Sequence, residues 1–590
     1  MNGKRSACTV AMAATAILLV ACSGSHAPVA AGSPADQTGA GGQNGSTSVT
    51  TTIIPGLNVQ GPALPLNDVA NITFGLAASQ LATEMTPTVL FAPALAPVPP
   101  AQCDSGYSAP LTPLAPPGGV QGRVTAADIN SPQADQGWAC NMKLVSNYGD
   151  LPGGFRTWRY TDTQGHTCAY YDTSFAGGPT AIVSLGGGPS LGVAVLDMDD
   201  PAHPQLVKTL TDSLAMLAPH ESLNLNAKRG LLAADVGNAA TLPGTMAIYD
   251  ISGDCRNPVL KGQFPSITGH ESGFSPDGNT FWIAGGFGYI QAIDVTDPTQ
   301  PKELWRGPYY SHGLNFSADG DTLYHTDTVN GNLGLMDVSE IQNRDANPRV
   351  RDIARVSWPT ATIPQNTVPF TRDGHQYLLE FEEFAFRFNP ATVNDSPGAA
   401  RILNIDDPAH PFIVSNIRLA VNMQAEHKAA DLDPTPLPPN QVLGYAFHYC
   451  ALPTQDNPQI AACSTITSGL RVFDISDVAH PREVAYFLAP PKAGRLLKAL
   501  QPLTAGGSVL SQNVANLTNT LTGVLPNVTA AVPDPSILTT EILDVGPGEL
   551  AFSQPAFDPA RCQIWYTDSI SGFYVLQVPQ SIWAGCTAQP

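Results

Sequence analysis

The stretch GVAVLDMDDPAHPQLV, residues 192–207, decides the fold because related stretches recur along the chain. It consists of an apolar run, a tight acidic turn that contains proline, and a second apolar run, a pattern that predicts two β-strands joined by a short turn. It returns as RILNIDDPAHPFIV from Arg401 and as LRVFDISDVAHPREV from Leu470. More divergent copies surround Asp250, Asp294 and Asp337.

The spacing of these copies indicates a repeat architecture. Measured from the aspartate or asparagine that ends the first run, successive copies lie about 53, 44, 43, 67 and 70 residues apart. Such a period is typical of one four-stranded propeller blade, with insertions in the two longer units.

A second repeated unit precedes several of these copies, as in HESGFSPDGNTFWIAGG (270–286) and HGLNFSADGDTLYHTD (312–327). Each contains two strand-like runs around an Asp-Gly turn, where glycine supplies a positive φ and aspartate accepts local backbone hydrogen bonds. A blade therefore consists of strand a, a turn, strand b, a loop, strand c, the proline-containing turn and strand d.

The last repeat, at residues 549–578, supplies three strands only, and CNMKLVSNYG at residues 140–149 resembles the missing strand d. An N-terminal strand that completes a C-terminal blade closes a ring without exposed sheet edges. The fold class predicted is therefore all-β, a seven-bladed β-propeller. Two stacked β-sandwiches are the alternative, but they predict no such split repeat.

The regions before and after the ring have different compositions. Residues 1–22 have the basic start and short apolar run of a secretory signal, and Leu19-Val20-Ala21-Cys22 resembles a bacterial lipobox, which predicts lipidation of Cys22. Residues 23–137 are rich in Gly, Ala, Ser, Thr and Pro and are predicted to form a disordered tether. The propeller is predicted over 138–580, with a helical insertion at about 490–548, and 581–590 form a C-terminal tail.

Composition excludes some partners and indicates a compartment. The net charge is −21, with no basic run, so the sequence predicts no nucleic-acid partner. Of ten cysteines, eight remain after Cys8 and Cys22 are set aside, and an even number in an exported chain suggests disulfides, with Cys450 and Cys463 as the best single pair. The chain is expected to be an exported monomer, anchored to the bacterial cell envelope by its N-terminal lipid.

The runs AVLDMDDPAHPQLV and AIDVTDPTQPKEL resemble LVIVD repeats, which are found in exported bacterial and archaeal β-propellers. The resemblance covers roughly residues 138 to 580 and implies the fold but no activity. The exported context and the histidine-led SPDG units also resemble, more distantly, the propellers of selenium-binding protein and methanethiol oxidase.

Two groups of histidines occupy repeated positions. His203, His410 and His480 belong to the Ala-His-Pro turns and are expected to cap those turns. Another group is predicted to lie at the start of strand a, which lines the central channel of every blade. This second group consists of His220, His270, His312 and His427.

Further ionisable residues are predicted at the end of strand b, on the same face of the ring: His325, His448, Glu380, Glu382 and Glu383. Imidazole nitrogen suits copper, zinc and iron, so a ring of histidines predicts a transition-metal site, with Glu221, Glu271, Glu380 and Glu382 as supporting residues. The alternative is structural, in which these groups form hydrogen bonds between blades.

The sequence favours a binding scaffold for a protein, a glycan or a small molecule, because loops on a rigid ring often carry recognition. The alternative is a metal-dependent oxidoreductase with a histidine-lined channel, similar to methanethiol oxidase. A lactonase-type hydrolase fits the histidines less well. The chain lacks GxSxG, HExxH, a Walker loop and a dinucleotide fingerprint.

Overall fold

A computed structural model describes most of the chain from residue 85 onward and two short strands before it. The described residues are 49–54, 57–61, 85–93, 95–108, 119–129, 131–173, 192–217, 219–237, 244–267, 269–285, 288–328, 330–383, 398–426, 444–490, 550–569 and 571–587. Four sequence predictions fall outside them: the signal with Cys22, most of the tether, His427 and almost all of the insertion at about 490–548.

The described residues form β-strands almost throughout. The first five strands along the chain are β1 (Val49–Ile54), β2 (Leu57–Gly61), β3 (Thr88–Val89), β4 (Trp138–Cys140) and β5 (Lys143–Tyr148). The strands that follow are β6 (Thr157–Thr161), β7 (Thr167–Asp172), β8 (Val193–Asp197), β9 (Gln205–Leu210), β10 (Asn224–Asn226), β11 (Leu231–Asp235), β12 (Thr245–Asp250), β13 (Val259–Pro265), β14 (Gly273–Phe274), β15 (Thr280–Gly285), β16 (Tyr289–Asp294), β17 (Lys302–Gly307), β18 (Leu314–Phe316), β19 (Thr322–Asp327), β20 (Asn332–Asp337), β21 (Arg351–Ser357), β22 (Pro364–Arg372), β23 (His375–Glu382), β24 (Ala400–Asn404), β25 (Phe412–Ile417), β26 (Tyr449–Ala451), β27 (Ile460–Ser464), β28 (Leu470–Asp474), β29 (Arg482–Leu488), β30 (Ala556–Asp558), β31 (Gln563–Asp568) and β32 (Gly572–Gln577).

Helices among the described residues are short. Four α-helical turns span Ser105–Ser108, Ala126–Ile129, Leu214–Leu217 and Ser339–Gln342, and three 3-10 turns span Pro132–Asp135, His220–Ser222 and Ala420–Asn422. Within the described part of the chain, no helix has the length and apolar character needed to cross a bilayer.

Seven antiparallel sheets form the ring, and they confirm the predicted seven-bladed propeller. Blades 1 to 6 contain β6–β9, β10–β13, β14–β17, β18–β21, β22–β25 and β26–β29, and blade 7 contains β30–β32 with β5. Strand β5 pairs antiparallel with β32, from Lys143 opposite Gln577 to Tyr148 opposite Phe573. The N-terminal strand therefore closes the last blade, as the split repeat predicts.

The first strands of the blades line the centre of the ring. In four pairs of neighbouring blades these strands contact each other directly: β10 with β14, β18 with β22, β22 with β26, and β30 with β6. A parallel bridge between Glu271 and Gly313 joins blades 3 and 4 at the same level. Residues just before these strands are consequently held close together by backbone pairing.

The turn chemistry follows the sequence expectation. Gly278 and Gly320, which end the two Asp-Gly turns, adopt φ of 73° and 82°. The carboxylate of Asp277 accepts a hydrogen bond from the backbone N–H of Asn279, which holds the first of these hairpins.

Part of the segment predicted as a tether lies against the ring instead. Strand β3 of this segment pairs in parallel with β21 of blade 4. Strand β4, at the start of the predicted propeller, pairs with β29 of blade 6, so each of these blades gains a fifth strand. Val98 and Val124 between them are buried. The ordered body thus begins before residue 138, because apolar side chains scattered in this Pro-rich segment find a blade surface to cover.

Four disulfides tie the described chain: Cys103–Cys140, Cys168–Cys255, Cys450–Cys463 and Cys562–Cys586. The pair expected from the sequence joins directly opposite residues of β26 and β27. The last pair holds the predicted C-terminal tail against blade 7, where Trp583 is buried. Four disulfides are characteristic of chains that fold in an oxidising compartment.

Candidate metal centre

Four histidines lie one to four residues before the first strands of blades 2, 3, 4 and 6. They are His220, His270, His312 and His448, which precede β10, β14, β18 and β26. The rings of His220 and His270 have centroids 4.8 Å apart, and those of His270 and His312 lie 4.2 Å apart. Repeat symmetry therefore brings together at the axis residues that are far apart in sequence.

One of these positions differs from the sequence prediction. His448 was expected at the end of strand b, but the innermost strand of blade 6 begins at Tyr449, so His448 occupies the start of strand a. That place had been assigned to His427, which lies outside the described residues. The long insertion before residue 444 hides the true start of the blade in the sequence.

Two glutamates complete the cluster, Glu221 beside His220 and Glu383 at the end of β23 in blade 5. Glu221 Oε2 lies 3.0 Å from His270 Nε2 and 3.8 Å from His312 Nε2. Glu383 Oε2 lies 2.9 Å from His312 Nε2, and the Nε2 atoms of His270 and His312 are themselves 2.9 Å apart. We call these six residues, His220, Glu221, His270, His312, Glu383 and His448, the axial cluster.

The spacing of these atoms matches that of metal ligands. A tetrahedral ion with bonds of about 2.0–2.1 Å places its ligand atoms roughly 3.3 Å from one another. Four of the separations among the donors of His270, His312, Glu221 and Glu383 lie between 2.9 and 3.8 Å and bracket that value. Glu221 belongs to three different groups of three potential ligands. Within each group the ligand atoms lie within 4.8 Å of one another.

Backbone carbonyls orient two of the imidazoles. His270 Nδ1 lies 3.0 Å from Gly237 O, and His448 Nδ1 lies 2.7 Å from Phe552 O. A carbonyl only accepts hydrogen bonds, so in each ring Nδ1 carries the proton and Nε2 points into the axial cluster. This second contact is the one that normally fixes the tautomer of a metal-binding histidine.

The axial cluster is buried on most sides. Glu221 and His448 are fully buried, and His312 and Glu383 nearly so. The side chain of His270 retains 20% exposure, the largest of the set. His220 adopts φ of 49°, a left-handed conformation that is costly outside glycine and is found where the surrounding structure enforces it.

Electrostatics at the axial cluster favour a cation. Burial alone would lower the pKa of His270, but the carboxylates of Glu221 and Glu383 raise it to about 9. Burial alone would raise the pKa of Glu221, yet His270, His220 and His312 hold it well below its usual range. Against the same opposing effect of burial, His312 and His448 lower the pKa of Glu383 to about 2. Both carboxylates are therefore ionised in a site that water barely reaches.

His220 differs from its neighbours in protonation. Burial lowers its pKa to about 3, although Glu221 opposes the shift. Its ring packs edge-on against Phe155, with centroids 4.3 Å apart. A neutral imidazole is the form that binds metals.

Glu271 and Arg156 support the axial cluster from one side. Arg156 Nη2 donates to Glu271 Oε1 at 2.5 Å, and Arg156 Nε donates to the carbonyl of Glu221 at 2.9 Å. Burial raises the pKa of Glu271 to about 8, although Arg156 opposes this. Glu271 Oε2 and His312 Nδ1 face each other at 4.0 Å, both buried and without a hydrogen-bond partner among the described residues.

Three predicted site residues lie elsewhere. His325 is in β19 as expected, but Nδ1 contacts Tyr310 O at 3.2 Å and Nε2 faces Arg355 at 3.4 Å, away from the axial cluster. Glu380 and Glu382 share one side of β23 and bind Arg401, so they form a buried ion network inside blade 5. These three residues therefore take part in polar contacts within the blades. That is the structural role given as the alternative to metal binding.

Sequence reasoning missed the apolar part of the site. Phe155 and Phe552 precede the first strands of blades 1 and 7, the same repeat position as the histidines, and both contact the ring of His448. Gln365 at the start of β22 donates to Glu221 Oε1 at 2.9 Å. An alignment of all seven blade starts would have found these residues, because they share one place in the repeat.

No protein-family model matches the chain, and no curated protein matches it. Among solved structures, it is similar to hydrazine synthase of Kuenenia stuttgartiensis, at 11% identity and a TM-score of 0.40 over 73% of this chain and 96% of that one. It is also similar to the Cps50 (Swd1) β-propeller domain of Myceliophteria thermophila, at 10% identity and a TM-score of 0.42 over 74% and 100%. A putative 6-phosphogluconolactonase of Bacteroides fragilis shows 9% identity and a TM-score of 0.36 over 51% and 78%. At these values the similarity carries no function over to this chain. The order of its own strands shows that it is a β-propeller.

Proposed function

We propose that this protein is a metal-dependent oxidoreductase that binds a transition-metal ion at the axial cluster. The observation that carries the proposal is the convergence of His270 Nε2, His312 Nε2, Glu221 Oε2 and Glu383 Oε2 at ligand spacing in a buried site. Two imidazoles with carboxylates are a donor set that suits iron, and imidazole also suits copper and zinc. With iron or copper, the ion would supply electron transfer to or from a small molecule.

Access supports a small substrate. His270 is the most exposed member of the axial cluster, so solvent reaches the site beside it, while Phe155 and Phe552 pack against His448. An apolar lining beside a charged centre favours a small substrate that loses much of its hydration when it binds.

Export and lipid anchoring at Cys22 belong to the same proposal. The lipobox-like sequence motivates the anchor, and four disulfides support an oxidising compartment, such as the bacterial periplasm or cell surface. The distant resemblance to methanethiol oxidase propellers is consistent with an exported redox enzyme, but it rests on motifs alone.

Partner binding at the cell envelope is a second candidate, favoured by a separate observation. The segment that crosses the outer edge of blade 4 exposes Phe91 (81%) and Val89 (50%). Exposed apolar side chains in one segment are typical of surfaces that contact a partner. This role would not involve the axial histidines.

Elemental analysis of the purified full chain tests the main proposal. We expect stoichiometric iron or copper in the wild type and its loss in the His270→Ala, His312→Ala variant. Zinc alone would support the metal site but overturn the redox role, because Zn²⁺ has no redox chemistry. His325→Ala is the matched control, since it also removes a buried imidazole but one outside the axial cluster. Metal retained in the double variant, or a metal-free wild type after reconstitution with each ion, would overturn the proposal.

A further inference from the structure

Each carboxylate of the axial cluster turns its two oxygens toward different histidines. Glu221 Oε2 faces His270 Nε2 at 3.0 Å, whereas Glu221 Oε1 faces His448 Nε2 at 3.4 Å. Glu383 repeats the arrangement, with Oε2 at 2.9 Å from His312 Nε2 and Oε1 at 3.8 Å from His448 Nε2. Both glutamates therefore span the space between the pair His270 and His312 and the single His448.

The donors also exceed what one ion needs. His270, His312 and His448 offer three imidazole nitrogens, and the two carboxylates offer four oxygens, seven donors in all. A four-coordinate ion takes four of them. His448, on the far side of both carboxylates, faces Glu221 Oε1 and Glu383 Oε1, which a single ion at His270 and His312 does not use. Glu221 Oε1 also accepts a hydrogen bond from Gln365, which leaves a further lone pair for an ion.

Charge favours a cation beside these carboxylates. Glu221 and Glu383 are buried side by side, and a buried carboxylate is costly unless cations or hydrogen bonds compensate it. The buried guanidinium of Arg156 contacts the carboxyl group of Glu271 instead. One divalent cation already balances the charge of the two carboxylates, and the second ion follows from the separate donors around His448.

Carboxylates that bridge two ions through separate oxygens fit the known separation of two-metal sites, roughly 3.5–4 Å. In such a site the two ions share the bridging ligands, and each keeps its own histidines. The imidazoles beside Glu221 and Glu383 are divided in this way. His270 and His312 lie on one side of the carboxylates and His448 lies on the other.

We propose that the axial cluster is a two-metal centre, in which Glu221 and Glu383 bridge one divalent transition-metal ion held by His270 and His312 to a second held by His448. This inference rests on the proposed metal function and adds a second site to it. His220 forms a group of potential ligands with Glu221 and His270. The proposed centre does not need it to hold either ion.

Titration of the metal-free full chain with Co²⁺ tests the proposal. Equilibrium dialysis with elemental analysis should give two equivalents for the wild type and for the exposed control His480→Ala. His448→Ala should bind one equivalent, because the site at His270 and His312 remains. One equivalent in both the wild type and His448→Ala would overturn the two-metal proposal and leave the single-metal function standing, whereas no cobalt in the wild type would remove both.

A second measurement needs no variant and covers the case in which His448→Ala fails to fold. Cu²⁺ added to the metal-free wild type should give an electron paramagnetic resonance signal that grows to one equivalent. The signal should then fall as the second, carboxylate-bridged ion couples to the first. A signal that doubles to that of two isolated ions, or stops growing at one equivalent, would contradict the bridge.

Discussion

The chain uses histidine at two repeated positions with opposite outcomes. At the axis, His312 and His448 are buried, His270 is partly exposed, and all three face the carboxylates of the axial cluster. In the outer turns, the side chains of His203, His410 and His480 are 78% to 82% exposed, and each binds only the aspartate three residues earlier, at 2.8 to 2.9 Å.

Position along the blade explains the difference. Blade starts converge on one axis, so equivalent residues from different blades become neighbours there. The turns between strands c and d lie on the outside, where equivalent residues move apart and each histidine has only its own turn as a partner. A repeat therefore creates a composite site at the axis and separate local caps at the rim.

The largest expected contrast comes from removing one carboxylate in each region. Glu221→Gln deletes a charge that faces His270 and His448, so we expect metal affinity to fall by more than about 100-fold. Asp477→Asn, which affects only the turn of His480, should leave metal affinity unchanged. Competition with a chromophoric chelator measures both, and equal affinities for the two variants would break the comparison.

Two glycine-to-alanine substitutions compare the packing beside the axial cluster with the packing in an outer turn. An added Cβ at Gly269 would overlap Asp235 Oδ2 and approach Ile283 Cγ2 to 2.6 Å, directly beside His270. Gly269→Ala should lower the free energy of unfolding by about 1–3 kcal/mol, as overpacking does. Gly253→Ala, in an open outer turn with no atom within 4 Å of the new Cβ, is the control. Chemical denaturation that ranked the two variants equally would refute the packing difference.

The pH dependence of the metal-free protein provides a third contrast. The pKa of His270 is raised from 6.5 to about 9 by Glu221 and Glu383, so its stabilising contribution is complete below about pH 6.5 and is lost as the pH rises through about 9. Glu271, with a pKa raised by burial to about 8, changes in the same direction.

We therefore expect the melting temperature of the chelator-treated protein to fall between pH 6.5 and 9. His270→Gln should flatten that fall, and the rim variant His480→Ala should keep it. Thermal scans at fixed ionic strength check the profile, and a melting temperature that increased over this range would contradict the assigned charges.

The smallest effect belongs to the rim itself. His480→Ala removes one hydrogen bond to Asp477 in a solvated turn, so we expect the free energy of unfolding to change within about 0.5 kcal/mol. The metal content should not change. A loss of metal in this variant would mean that the outer turns are coupled to the axial cluster. That result would contradict the separation of the two regions.

The blade count and the closing strand were predictable because turn chemistry and the repeated c–d unit are local signals. The c–d unit recurs in six blades, and the C-terminal unit of three strands indicates the need for β5. The strands that the N-terminal segment adds to blades 4 and 6 were not predictable. Their pairing depends on blade edges that only the folded ring provides.

The axial cluster was predictable in part. His220, His270 and His312 precede recognisable first strands, but the insertion before residue 444 obscured the equivalent role of His448. Period-two alternation does not tell which face of β23 reaches the axis. The sequence therefore led us to assign Glu380 and Glu382, and not Glu383, as supporting residues, although both bind Arg401 inside the blade.

Anomalous diffraction from crystals of the protein loaded with zinc or iron tests the central claim most directly. The account predicts a peak enclosed by His270 Nε2, His312 Nε2, Glu221 Oε2 and Glu383 Oε2, and a second peak beside His448 across the two carboxylates. No anomalous density at the axis of a fully loaded crystal, or density only at the outer aspartate turns, would contradict it.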